Sequence, residues 1–181
     1  MNNTYLDLVK QTFNFPQEGF EVKDEYLQFN GLDIKTLIDK YGTPLKLSYL
    51  PKIGMQIKKA KKMFDTAFKK YKYTGEYNYC YCTKSSHFSF VVEEALKQDI
   101  HLETSYAYDI EIIKKLYARK KVTKDTFIIC NGYKDKLFIE NALMGCKLGK
   151  KVIMVVEKLE EVRQIISISK QLGVEPLIGI R

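Results

Sequence analysis

The sequence predicts an α/β fold of parallel βα units, the first part of an eight-stranded barrel, and three observations carry that prediction. Apolar, strand-like runs begin near Tyr77, Ile100, Thr126, Lys151 and Glu175, at steps of 23, 26, 25 and 24 residues. Helix-like stretches separate them, and strand, helix, strand at a constant period is the signature of a parallel sheet with crossover helices. The first βα turn reads TKSSHF, without a glycine, where a dinucleotide-binding sheet would carry Gly-x-Gly-x-x-Gly. An open doubly wound sheet can stop at five strands, but the missing glycines favour the barrel. Barrel closure typically takes about 250 residues, so only about the first five βα units are expected in a chain of 181.

In chain order, residues 1–23 are weakly patterned and carry no assignment. Residues 24–50 read as a strand, a turn, a short helix, then Gly42-Thr43-Pro44 and another strand. They form a lead-in over residues 1–50, with the barrel part over residues 51–181. From Lys52 to Lys72 the apolar residues Ile53, Ile57, Ala60, Phe64, Ala67 and Tyr71 recur at steps of three and four, which makes an amphipathic helix. The βα series follows, with helices expected over FSFVVEEALKQ, YDIEIIKKLYARK, DKLFIENALMGCK and KLEEVRQIISISKQLG. Gly149 and Gly173 stand just before strands, as helix C-terminal punctuation.

Composition narrows the function classes. Hydrophobic residues make up 45% and charged residues 29% of the chain, a soluble globular profile. No apolar run approaches the roughly 20 residues a bilayer span needs. The N-terminus MNNTYLDLVKQTF lacks the basic start and apolar core of a secretory signal, so the cytoplasm is expected. Cys80, Cys82, Cys130 and Cys146 include no C-x-x-C pair, and His87 and His101 lack zinc-finger spacing, so reduced thiols and no metal site are expected. The formal charge of +8 is concentrated between Lys52 and Lys72, where eight lysines face one acid, Asp65. Lysine without interleaved arginine or glycine reads as a solvated helix face, so nucleic-acid binding is not expected. An RNA-binding use of this helix stays open as an alternative.

Alternation along the strands selects the candidate site. Tyr77, Tyr79, Tyr81 and Thr83 share one face, and Asn78, Cys80, Cys82 and Lys84 share the other. Bulky tyrosines suit the helix layer and small residues the barrel interior. Lys84 is thereby placed inward at the C-terminal strand end, where barrel active sites are built. Glu103 ends the second strand and Arg181 the fifth, while Cys130 and Asn131 close the third at the same level. A lysine enclosed by low-dielectric walls becomes a nucleophilic amine suited to a Schiff base with a carbonyl. The bland alternative is a lysine meeting water at a strand end, and alternation alone leaves the two open.

Several motifs resemble a known family. YGTPL at residues 41–45, the strand-ending Lys84, VVEEAL at 91–96 and LETS at 102–105 are similar to the alanine-racemase-like barrel of pyridoxal-phosphate-dependent basic amino-acid decarboxylases. CNGYKDKLFIENALMGCKLGKKVIMVVEKLEEV, followed by EPLIGIR, resembles the biosynthetic arginine decarboxylases in particular. The resemblance implies decarboxylation of L-arginine to agmatine and CO2, a step of polyamine and spermidine biosynthesis. Pyridoxal 5'-phosphate would be held by Lys84, the catalytic residue, with Glu103 and Arg181 as further cofactor-binding residues. It also implies a homo-oligomer in the full-length form and an essential C-terminal β-domain, which is absent from this chain. The chain is therefore expected to be an N-terminal part, with little activity alone.

Two departures from the family pattern bear on the substrate. Ser85-Ser86 stands where many relatives have Val-Asn, and Thr104-Ser105-Tyr106 where many have Gly-Ser-Lys. Decarboxylation of lysine, ornithine or diaminopimelate, or a non-catalytic binding or regulatory role, are the alternatives. His87 has no assigned counterpart.

Overall fold

The structure, a computed structural model, describes residues 18–181. The chain divides into two compact units, residues 1–48 and 49–181.

In the first unit, β1 (Phe20–Lys23), β2 (Tyr26–Phe29) and β3 (Leu32–Asp33) form an antiparallel meander, followed by α1 (Ile34–Tyr41). Both hairpins turn on two residues with positive φ: Asp24 and Glu25 at 51° and 68°, then Asn30 and Gly31 at 50° and 77°. Such pairs match the right-handed twist of the flanking strands, and Asn-Gly is the sequence that adopts them most readily. Phe20 and Phe29 are register partners with ring centroids 4.7 Å apart. Asp33 starts α1 by accepting a hydrogen bond from the Thr36 amide at 3.2 Å. The strand expected after Pro44 does not form. Residues 45–50 alternate as a strand would, but among the described residues no ladder pairs them. Alternation without a hydrogen-bonding neighbour does not make a strand.

The second unit opens with α2 (Pro51–Tyr71), whose proline sits in the first turn, where its missing N–H costs nothing. Ile57 is buried with Ala95 and Ile100, and Phe64 stacks on Tyr77 at 3.8 Å. Tyr71, at the end of the predicted stripe, is 73% exposed. The lysine face is not only a solvated surface, because Lys61 Nζ donates to the carbonyls of Gln98 and Asp99 at 2.9 and 2.6 Å.

Five parallel strands follow in sequential order: β4 (Cys80–Cys82), β5 (His101–Thr104), β6 (Ile128–Cys130), β7 (Val152–Val156) and β8 (Leu177–Ile180). The connecting helices are α3 (Ser89–Leu96), α4 (Ala107–Ala118), α5 (Lys136–Lys147) and α6 (Leu159–Leu172). One sheet face is sealed against these helices. Leu102, Thr104, Ile128, Cys130, Val152, Met154 and Val156 are all buried there, in a core with Phe138, Ile139, Leu143 and Ile165. Burying each such large apolar side chain contributes about 1.5–3 kcal/mol. On the other face Cys80, Cys82, Glu103, Ile129, Ile153 and Val155 are only half-buried. Gly179 belongs to that face, since a Cβ there would meet Val155 and Ile153 at 3.2 and 3.6 Å. Among the described residues, β4 and β8 are the two edges of the sheet.

One expectation is corrected at the end of β4. The strand stops at Cys82, and Thr83–Ser85 form a single 3-10 turn, so Lys84 stands just past the strand. Thr83 is completely buried while Lys84 is exposed. Of the two readings left open for the Lys84 amine, the exposed position matches a lysine that meets water at the strand end. The cause is local: Thr83 turns its hydroxyl down into a buried hydrogen-bond network, and the chain curls over it.

Candidate functional site

The strand ends that should build a barrel active site surround one cavity of about 330 Å³. Lys84, Glu103 and Arg181, the three residues singled out in the sequence, all line it, together with Ser105, Tyr106, Asn131, Gly132, Tyr133 and Asp135. The fold brings them together because β4, β5 and β8 run parallel and end at one level. The pairing of Cys82 with Glu103 fixes that level for the first two. For the last, the Arg181 amide donates to the Val156 carbonyl at 3.1 Å. A second hollow, about 250 Å³ and almost wholly apolar, lies between α4 and α5 and includes Ile128 and Val152 from the strand starts. It contains none of the three residues, so the polar cavity is the candidate site.

Each wall of the cavity has a structural reason. Glu103 lies beside Cys82, with Sγ to Oε1 at 3.5 Å. Burial pushes the Cys82 thiol pKa up and the Glu103 charge adds to this, against a lowering contribution from the Lys84 backbone amide. Cys80 is raised for the same first reason, burial, and again by Glu103. Both shifts disfavour the thiolate form, and the two side chains serve as small spacers on this face. Cys130, on the helix-facing side, is pushed up to about 12 by burial and is inert.

The turn carrying Lys84 is anchored from beneath. The Thr83 hydroxyl lies 3.0 Å from Asp109 Oδ2 and 3.1 Å from the Glu103 carbonyl. Asp109, in the first turn of α4 and 5% exposed, also accepts from the Ser105 amide at 3.0 Å. One carboxylate thus ties the residue before Lys84 to a residue of the opposite wall. Gly132 has φ of +73°, and a Cβ there would stand 3.1 Å from the Ser105 carbonyl, so this wall tolerates only glycine without a shift. Asn131 Oδ1 is buried and has no hydrogen-bond partner among the described residues. A buried acceptor without a donor normally has a reason, and here it borders the cavity.

Arg181 pairs with Glu157 at 2.9 Å, with both side chains partly exposed. Behind Glu157 lies a buried ion pair absent from the sequence-based expectation. Lys134 and Glu161 are 1% and 3% exposed, with Nζ to Oε2 at 3.6 Å. Burial by itself raises the Glu161 pKa. Its hydrogen bonds from the Glu157, Lys134 and Lys158 amides and the Lys134 charge outweigh that and hold it below the usual carboxylate value. Asp109, Lys134 and Glu161 support the cavity without lining it, and sequence reasoning missed all three. Lys134 lies inside CNGYKD, and that motif was the only signal for it.

Ser86 has a structural role, since its carbonyl accepts from the Tyr81 hydroxyl at 3.1 Å. His87 is exposed and does not line the cavity.

Comparison with known proteins first places the fold and then the family. Among solved structures, the chain superposes on the biosynthetic arginine decarboxylase of Campylobacter jejuni with a TM-score of 0.70 at 24% identity, covering 91% of this chain and 29% of that one. The diaminopimelate decarboxylase of M. jannaschii gives 0.74 at 22% identity, covering 91% and 36%. The fold is thus one found in amino-acid decarboxylases. No protein-family model matches the chain. Curated relatives are closer in sequence. The biosynthetic arginine decarboxylase of Bacteroides thetaiotaomicron is 33% identical over 159 residues, 83% of this chain and 25% of the relative. That of Shewanella piezotolerans is 38% identical over 123 residues, 65% of this chain and 19% of the relative. The chain belongs to the biosynthetic arginine decarboxylase family and spans about a quarter of the length of the first of these relatives.

Proposed function

We propose that this chain forms the cofactor-bearing part of a pyridoxal-phosphate-dependent enzyme of the cytoplasm that converts L-arginine to agmatine and CO2. Its five-stranded sheet would be one arc of a closed α/β barrel. The observation that carries the reading is the convergence of Lys84, Glu103 and Arg181 from three strand ends on one cavity. The sequential strand order, the helices on one face and the half-covered second face support the barrel.

The cavity chemistry fits pyridoxal phosphate. Its aldehyde needs a primary amine, which Lys84 Nζ offers at the exposed strand end. Glu103 and Arg181 offer one anionic and one cationic partner, and the unpartnered Asn131 Oδ1 offers an acceptor for a ligand hydroxyl or N–H. About 330 Å³ lies at the small end of the range for small-molecule sites, roughly 300–1,000 Å³. When bound, the cofactor supplies an electron sink for the pair left behind as CO2 departs. The protein's share is orientation and charge. Lys84 Nζ holds the group and is an amine able to carry a proton. Glu103 and Arg181 fix the group's orientation, and the Ser105–Tyr106 and Gly132–Asp135 walls limit water.

The substrate is the part resting most on kinship, so the test is a substrate panel. The longest natural form of the protein, supplied with pyridoxal phosphate, is given arginine, lysine, ornithine and diaminopimelate separately. Agmatine from arginine, abolished by Lys84→Ala, is the expected result. A product from one of the others and none from arginine would overturn the choice of substrate, and no product from any would overturn the activity. Sedimentation of the same preparation tests the homo-oligomer that the family resemblance implies.

A further inference from the structure

We infer that the buried Lys134–Glu161 pair is a positioning device that holds two walls of the candidate site, the Gly132–Asp135 loop and the Arg181 guanidinium, in register. The inference rests on the reading of the cavity as a pyridoxal phosphate site.

A fully buried lysine and glutamate are costly to desolvate, and such a pair persists only where its geometry and extra hydrogen bonds compensate it. Here three of the additional bonds lead toward the cavity. Lys134 Nζ donates to the Gly132 carbonyl at 2.7 Å, which pins the loop at its positive-φ residue. The Lys134 amide donates to Glu161 Oε1 at 3.1 Å, so the loop is fastened to α6 by backbone as well as by side chain. The other oxygen, Glu161 Oε2, accepts from the Glu157 amide at 2.9 Å. Glu157 in turn holds Arg181 at 2.9 Å. One carboxylate therefore coordinates the β6–α5 loop and the β7–α6 loop, which carry opposite sides of the Arg181 corner.

The pair itself does not line the cavity. It is not a candidate to touch a ligand, and its connections are too directed for a purely space-filling role. An apolar pair of similar volume would fill the same space and is often tolerated by the fold. It would release the Gly132 carbonyl and the Glu157 amide, leaving the walls free to drift. Small misplacements of positioning groups weaken binding and catalysis out of proportion to their effect on stability.

The experiment compares the wild-type chain with the double variant Lys134→Met/Glu161→Met, which removes both charges and both side-chain connections together and so leaves neither charge buried alone. Glu157→Gln, which touches only the Arg181 arm, is the second variant. Two quantities are read on each folded protein: amide hydrogen exchange, and pyridoxal phosphate affinity from its near-visible absorbance. In the double variant, exchange at residues 131–135 should be at least tenfold faster, while β6 and the middle of α5 keep wild-type protection. Affinity should fall at least tenfold in the double variant and less in Glu157→Gln. Unchanged exchange at residues 131–135 would overturn the positioning claim. Faster exchange with unchanged affinity would overturn its link to the site. If the wild-type protein in its longest natural form shows no absorbance change with pyridoxal phosphate, the proposed function fails, and the exchange data still decide whether the pair holds the walls.

Discussion

Asp109 offers the sharpest test of how the turn under Lys84 is held. Its carboxylate is 5% exposed and accepts from Ser105 N and Thr83 Oγ1, each at 3.0 Å. In Asp109→Ala the Thr83 hydroxyl keeps the Glu103 carbonyl at 3.1 Å as an alternative acceptor. The Ser105 amide loses its Asp109 acceptor. A hydrogen bond to a charged group contributes about 1.5–3 kcal/mol, and a buried donor left unsatisfied costs about 1–3 kcal/mol. Removing a buried carboxylate recovers part of its desolvation cost. The expected loss is about 2–3 kcal/mol, a fall in Tm of roughly 5–10 °C for a chain of this size. Urea unfolding followed by circular dichroism measures it, with an unchanged slope showing that the same surface is exposed. Asp125→Ala is the control, because Asp125 is 69% exposed in its pair with Lys151 and such pairs contribute at most about 1 kcal/mol. If Asp109→Ala is no less stable than Asp125→Ala, the network does not hold the turn and the account of Lys84 placement is wrong.

Three further outcomes follow from the same structure. Gly132→Ala should cost about 1–2 kcal/mol in urea unfolding, because φ is +73° and the new Cβ would meet the Ser105 carbonyl at 3.1 Å. A neutral result would mean that the loop adopts another conformation. His101 accepts from the Phe127 amide through Nδ1 and faces Asn78 Oδ1 through Nε2. Burial first, then the Lys61 and Lys151 charges, lower its pKa against a raising contribution from Asp99. The unfolded chain then binds more protons below its ordinary value of about 6.5. Stability from this residue is therefore complete above that pH and lost as pH falls through the lowered pKa. His101→Gln should flatten the decline as pH falls below about 6.5, and an unchanged slope would contradict it. At mildly alkaline pH, iodoacetamide should label Cys80 and Cys82 before the completely buried Cys130, whose pKa is about 12. Mass mapping of the folded protein shows the order, and early labelling of Cys130 would contradict its burial.

Much of the βα series was legible because its signals are local and repeated. Strand side chains alternate by necessity, so the sequence already separated Tyr79 and Tyr81 from Cys80 and Cys82. The tyrosines pack against the helix-side core, and Cys82 faces Glu103. The same alternation misled at residues 45–50, where nothing among the described residues pairs with the run, and at Lys84, where the strand stops two residues early at Cys82 and a buried threonine begins a 3-10 turn. Asp109 reads in sequence as an ordinary acid near a helix start, and Lys134 and Glu161 as surface charges. Their burial depends on contacts 26 or 27 residues apart, and no short-range pattern announces such partners. Glu103 and Arg181 were legible to within one residue of a strand end, since β5 runs on to Thr104 and β8 stops at Ile180. The loops that hold them in place were not.

The central claim, that Lys84 is the amine of a pyridoxal phosphate site, is tested most directly by borohydride reduction in the presence of the cofactor, followed by peptide mass mapping. The account predicts a pyridoxyl group on the peptide containing Lys84 at low cofactor concentration, lost in Lys84→Ala and not transferred to the lysines of α2. Labelling spread over the α2 lysines with none preferred at Lys84 would contradict it.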